Sequence, residues 1–138
     1  MSTESGKLIK KAEEIIISQR NCVLTLIDKD GYPSSSVITV SKADGIKFLT
    51  FCTGIDSNKA VRISGCNRAS VCFGSEEYGV SLSGDVEIVT EPEVKKEMWY
   101  EGLEHYFKDY NDPNYCVIKF TAKRYSLFID WTEKAGEI

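Results

Sequence analysis

The chain is poor in histidine and proline, with one His and three Pro among 138 residues. Its five cysteines (Cys22, Cys52, Cys66, Cys72, Cys116) contain no CxxC pair. With a single imidazole and no paired thiols there is no pattern for a structural zinc site, and no metal is expected. An odd, scattered set of thiols is equally unsuited to a disulfide framework; such residues usually serve as small buried apolar groups in a reducing compartment. Positive charge is also in deficit, with 17 Lys and Arg against 21 Asp and Glu. The resulting net charge of −4 argues against a phosphate-tracking nucleic-acid binder. No apolar run reaches bilayer length, and Met1 to Ser5 has no apolar signal core, so a cytoplasmic protein with no membrane partner is expected. Repeats, low-complexity tracts and linkers are absent, which predicts one domain over residues 1–138.

What is present alternates between two periodicities. Leu8, Ala12, Ile15, Ile16 and Gln19 recur at helical spacing among Lys10, Lys11, Glu13 and Glu14, predicting an amphipathic opening helix. The pattern then becomes that of strands: 22–27, a turn at Asp28-Lys29-Asp30-Gly31, 34–41, a turn at 42–45, and 46–51. Asp56, Ser57 and Asn58 supply capping residues for a short helix ended by Gly65. Strands are predicted again over 69–73 and 80–89, the second carrying a Gly84 that signals a bulge or a close backbone approach. Thr90-Glu91-Pro92-Glu93 has the form of a capping box, opening a helix through Val94, Met98, Trp99 and Leu103 that should end before Asn111. Strands over 115–120 and 125–131 follow, and a tail from Glu133 has little to pack. About six strands joined mostly by turns predict an α+β, mostly antiparallel β-barrel with flanking helices.

The chemistry concentrates in Phe51-Cys52-Thr53-Gly54-Ile55-Asp56-Ser57-Asn58-Lys59, a strand running through a polar turn into a helix. Free N–H groups and the positive end of the helix dipole favour an anion there, with hydroxyls from Thr53 and Ser57 and charge from Lys59 or Arg62. The same residues also serve as ordinary N-caps. A Walker A loop is ruled out by Asn58 where its second Gly belongs, and a Rossmann GxGxxG is absent.

This segment resembles the FMN-binding strand-turn-helix of the pyridoxamine 5′-phosphate oxidase-like split barrels. Phe51, Thr53, Ser57, Asn58 and Lys59 fall at the places of that family's aromatic, Thr and Ser-Arg-Lys positions, with Asn58 replacing the Arg. Gly31-Tyr32-Pro33 followed by Ser34 to Thr39 resembles the family's Gly-x-Pro hairpin, with Ser36 where the oxidases carry a phosphate-binding Arg. The resemblance runs from the opening helix to about Val89. It implies a split β-barrel homodimer with FMN at the interface, the phosphate near Ser57, Asn58 and Lys59, and backbone of Ser36, Val37, Ile38, Cys52 and Thr53 along the flavin. Lys59, Arg62 and Arg68 are the candidates for the missing charge. The chain is shorter than the true oxidases, lacks their Arg-containing C-terminal region, and has Gly79 in place of a flavin-contacting Gln. It looks closer to the short general-stress-protein branch.

Other side chains carry less. Cys52 has no cation adjacent in sequence to lower its pKa. His105 reads as a surface residue. Trp99, Tyr100, Tyr106, Phe107 and Tyr110 sit among Glu97, Glu101, Glu104 and Asp109, which suits core packing or a dimer contact rather than base stacking. No catalytic side chain is identified. The expected function is electron transfer through FMN between a hydride donor and a small acceptor. A non-catalytic flavin-binding, sensing or storage protein is the alternative; a split barrel holding haem is a third reading, opposed by the scarcity of axial ligands.

Overall fold

The computed structural model describes residues 4–138, and side chains from Ser5 onward. The expected opening helix is α1, Glu4–Gln19, which buries Leu8, Ala12 and Ile16 against the barrel interior. Seven strands and two further helices follow among the described residues: β1 (Asn21–Ile27), β2 (Pro33–Asp44), β3 (Phe48–Gly54), α2 (Asn58–Gly65), β4 (Arg68–Gly74), β5 (Gly79–Val89), α3 (Pro92–Met98), β6 (Tyr115–Ile129) and β7 (Thr132–Glu137). Every pairing is antiparallel, in the order β3-β2-β1-β4-β5-β6-β7, and β3 also pairs with β6. That last pairing closes six strands into a barrel, as expected, and leaves β7 outside it as a hairpin arm. No helix is long and apolar enough to cross a membrane among the described residues.

Local chemistry sets the corners. In the β1–β2 turn the Asp28 carboxylate accepts the N–H groups of Asp30 and Tyr32 at 2.9 and 3.0 Å, and Gly31 adopts φ 85°. Inside the barrel, alternate residues of each strand meet: Leu24 and Leu26, Leu49 and Phe51, Val71 and Phe73, Val80 and Leu82, Ile118 and Phe120 are all buried. A second apolar cluster lies outside the barrel wall, where Trp99, Tyr100, Phe107 and Tyr110 pack over Cys52, Leu103, Tyr115 and Val117. Core packing of these four aromatics is therefore correct, while Tyr106 is exposed.

Three expectations are corrected. The helix after Pro92 stops at Met98 rather than continuing through Leu103, and only a 3₁₀ turn at Leu103–His105 follows. Carboxylates of Glu104, Asp109 and Asp112 bond nearby backbone N–H groups in this stretch, and Gly102 takes φ 108°, so the helix loses to local turns. The capping box is not formed: Glu91 is the N-cap without a side-chain bond, and Pro92 starts the helix from its first position. The two final strands are one 15-residue strand, β6, and the tail pairs with it as β7.

β6 stays continuous because it bends at a bulge. Its register with β5 shifts between Ser83 and Gly84, which pair with Arg124 and Ala122, leaving Lys123 as the extra residue. Gly84 is both bulge partner and close approach: a Cβ there would lie 1.9 Å from the Thr121 carbonyl oxygen. Gly84→Ala is expected to destabilise the fold by about 2–4 kcal/mol, since the obstruction is backbone that must move. Urea unfolding tests this, and an unchanged midpoint would show that the crossing is not so tight.

Candidate functional site

β2 and β3 are paired from Asp44↔Phe48 to Val40↔Phe51 and then part. Beyond that point residues 33–39 pair with β1 alone, and Cys52–Gly54 pair with β6 alone. Two strand edges therefore carry backbone groups not used by a second neighbour, and they belong to the segments containing Ser36, Val37, Ile38, Cys52 and Thr53. Arg20 sits at the point of parting. Its carbonyl accepts the Val40 N–H at 2.8 Å, and its guanidinium Nη2 and Nε donate to the Val40 carbonyl at 3.0 and 3.3 Å. The same guanidinium lies 5.5 Å from the centre of the Tyr100 ring. Burial chiefly pushes the Tyr100 phenol above its usual range; Arg20 and the Thr39 hydroxyl act in the opposite direction. Arg20 and Tyr100 were missed in the sequence, where a helix-to-strand junction carries no sign of the φ of 60° that turns Arg20 back onto Val40.

Past Gly54 the chain turns and enters α2. The Ser57 N–H donates to the Gly54 carbonyl at 3.1 Å, and the Ser57 hydroxyl oxygen accepts from the Ala60 N–H at 3.2 Å and from the Thr53 hydroxyl at 3.1 Å. Ser57 is thus a true N-cap, as its residue type suggests. With its oxygen accepting two bonds, its own proton remains available outward. The N–H groups of Asn58 and Lys59 have no acceptor among the described residues, and the Lys59 ammonium has no ion-pair partner there. Two backbone donors, the Ser57 hydroxyl held by Thr53, and an ammonium form a donor set suited to an anionic oxygen group.

The remaining predicted residues separate by direction. Val37 points outward and is 71% exposed, whereas Ile38 packs against the barrel core. Ser36 is half-buried and pairs with the inward-facing Leu24. The Cys52 backbone belongs to the open edge, but its thiol is buried under the second cluster, 3.4 Å from both the Met98 carbonyl and the Tyr115 hydroxyl. Burial raises its pKa, with opposing hydrogen bonds from Tyr115 and Ser41, so a thiolate role at neutral pH is disfavoured. Of the candidate compensating cations, Arg62 shares a 570 Å³ recess with Asn58 and Lys29, while Arg68 lines a different one. His105 is exposed, as expected. A 610 Å³ cleft between α3 and the barrel wall is lined by Phe48, Thr50 and Lys119, at the end of β3 away from Ser57, and contains none of the predicted site residues.

The fold agrees with the comparisons to known proteins. The sequence profile described as pyridoxamine 5′-phosphate oxidase matches residues 8–128. The chain belongs to this family. Among solved structures it is similar to a Clostridium acetobutylicum protein related to general stress protein 26, at 23% identity and TM-score 0.86, covering 96% of this chain and 95% of that one. It is also similar to general stress protein 26 of Bacillus anthracis, at 24% identity and TM-score 0.82, covering 95% and 98%. A Nostoc punctiforme protein described as pyridoxamine 5′-phosphate oxidase-related and FMN binding shares the fold at 15% identity and TM-score 0.73, covering 100% and 98%. No curated protein matches. For this family member the turn into α2 and the segment from Gly31 to Thr39 are the parts that the sequence pattern singles out.

The buried thiols give the fold a pH signature. Burial pushes Cys22 up to about 12 and Cys116 up to about 11 from the ordinary 9.0. Their folded pKa values lie above the unfolded ones, so this stability is complete below pH 9 and is lost as pH rises toward 11–12. In that window the unfolded chain has released protons that the native chain keeps. Stability should therefore fall by about 1.4 kcal/mol per pH unit for each thiol. Denaturant midpoints at pH 8 and 10.5 check this, with Cys22→Ala reducing the slope; a flat profile would contradict it.

Proposed function

We propose that residues 1–138 form one FMN-binding domain that transfers electrons between a hydride donor and a small acceptor. The observation that carries this reading is the parting of β2 and β3 at Val40 into two open backbone edges, with the donor set of Thr53, Ser57, Asn58 and Lys59 following directly on one of them. FMN when bound would supply the hydride and electron chemistry. Lys59 and the N–H groups of Asn58 and Lys59 neutralise and hold the phosphate, and the Thr53–Ser57 hydroxyl pair orients it. Backbone of Ser36, Val37, Ile38, Cys52 and Thr53 supplies hydrogen-bonding groups along the split for the polar margin of a flavin. Gly79 in place of the flavin-contacting Gln supports a role other than pyridoxamine phosphate oxidation. Unpaired cysteines suit a cytoplasmic setting.

A second copy of the chain completes the reading. Registered across the sheet, Val37, Val23, Cys72, Ser81, Ser126 and Ala135 form an outward row without a charge, in a chain that is 28% charged. Val37 belongs both to this row and to the open edge, so a partner packed here would shield the cofactor from water. A non-catalytic flavin store or sensor is the second reading, favoured by the buried Cys52 thiol and by the lack of an acid–base side chain along the two edges.

The first test is the visible spectrum of protein purified without added cofactor, followed by identification of the released compound. FMN is the expected product; a colourless protein that also ignores added FMN overturns the reading. Lys59→Ala should weaken FMN by about tenfold or more, and riboflavin far less, because only FMN carries the charge that Lys59 meets. Equal losses would show that Lys59 does not read the phosphate. Turnover of reduced nicotinamide with an electron acceptor separates the enzyme from the store. Light scattering should give a dimer that Cys72→Glu dissociates, and a wild-type monomer would remove the second copy from the site.

A further inference from the structure

In a regular strand consecutive side chains point to opposite faces, so two neighbouring cations cannot both serve one surface. The bulge in β6 breaks that rule. Opposite Gly84 the strand carries Lys123 as its extra residue, and Lys123 and Arg124 both line one 350 Å³ recess on the outer barrel wall. Arg68 of β4 lines the same recess, together with Thr25, Ser70, Ser83 and the side-chain-free Gly84. The Asp85 carboxylate lies beside Arg68, its Oδ1 3.7 Å from Nε, buried and without a hydrogen bond. Glu137 stands opposite Arg124 in the β7 register but forms no ion pair with it. Three cations face the carboxylates of Asp85 and Glu137, a local excess of about +1 on a chain whose net charge is −4.

We infer that this recess, formed by Arg68, Lys123 and Arg124 at the β6 bulge, binds the phosphomonoester group of a small molecule. A phosphomonoester carries a charge of about −1.5 to −2 near neutral pH and three acceptor oxygens, and those oxygens match the recess's three guanidinium and ammonium donors. The hydroxyls of Ser70 and Ser83 add neutral donors on adjoining strands; that of Thr25 is already shared with Ser35 at 2.8 Å. The volume admits the phosphate and a short body attached to it, at the lower end of small-molecule sites. The bulge is the device: it puts two successive basic side chains on one face.

The recess is separate from the Thr53–Lys59 donor set, none of whose four residues lines it. The test is titration of the full-length protein with inorganic phosphate at fixed ionic strength, followed by amide chemical shifts, with chloride as control. Shifts are expected at Ser70, Ser83, Gly84, Lys123 and Arg124. Arg124→Gln should weaken phosphate by about tenfold and Arg124→Lys by much less. Arg68→Gln, at a side chain 75% exposed, gives a second variant that leaves the fold intact, with a similar loss expected. AMP and FMN then distinguish the sources of the phosphate, since either one moving the same amides supports the site and names its class. Shifts confined to the Ser57–Lys59 turn, identical shifts with chloride, or binding unchanged in both Gln variants would overturn it. None of these results depends on whether the protein is yellow.

Discussion

Closure of the barrel turns on a contact that contains no side chain. Gly84 and the Thr121 carbonyl approach so closely that only hydrogen fits between the two strands. Because they do, β6 can bend without breaking, and its halves serve different neighbours. Residues 115–121 pair with β3 and complete the wall, while 124–129 pair with β7. An unbent β6 would follow one of these partners and abandon the other. The bulge that relieves the bend also re-aims Lys123, so a backbone constraint decides where charge appears on the outside.

The opposite arrangement holds at β2 and β3, where separation rather than contact matters. A sheet normally uses both edges of every interior strand, and leaving an edge free has to be stabilised by something else. Here Arg20 pins Val40 from both its backbone and its side chain, Ser41 donates to the Met98 carbonyl at 2.5 Å, and α2 buries Ala60 and Ile63. The second apolar cluster braces β3 from outside through Tyr115, which is fully buried, donates to the Lys95 carbonyl at 2.8 Å and meets Trp99 edge-on. The open edge is thus surrounded by rigid elements, which is what a preformed ligand site requires.

The sequence made much of this visible, for physical reasons that can be named. Period-2 runs bounded by Asp, Asn and Gly located the strands from β1 to β5, since burial of one face demands that alternation. Ser57 announced a helix start because its hydroxyl has one obvious use. Gly84 stood out as the one glycine within a β-rich run. The run from Trp99 to Tyr110 reads as a continuation of the helix because its apolar spacing suits one, whereas Glu104, Asp109 and Asp112 take backbone N–H groups locally. The join of 115–120 to 125–129 was hidden by Lys123 and Arg124, whose charges look like a turn until the bulge is known. Arg20 could not be foreseen, because its role depends on a left-handed backbone and a partner 20 residues away.

β6 also sets an order of events during synthesis. It starts at Tyr115 and is the partner of β3, β5 and β7, strands that begin at residues 48, 79 and 132. Until it emerges, the nascent chain holds an open sheet with bare edges on β3 and β5, and Phe51, Phe73 and Leu82 lack their far wall. Such edges invite pairing with other chains, so the last 24 residues act as an intramolecular guard as well as a structural strand.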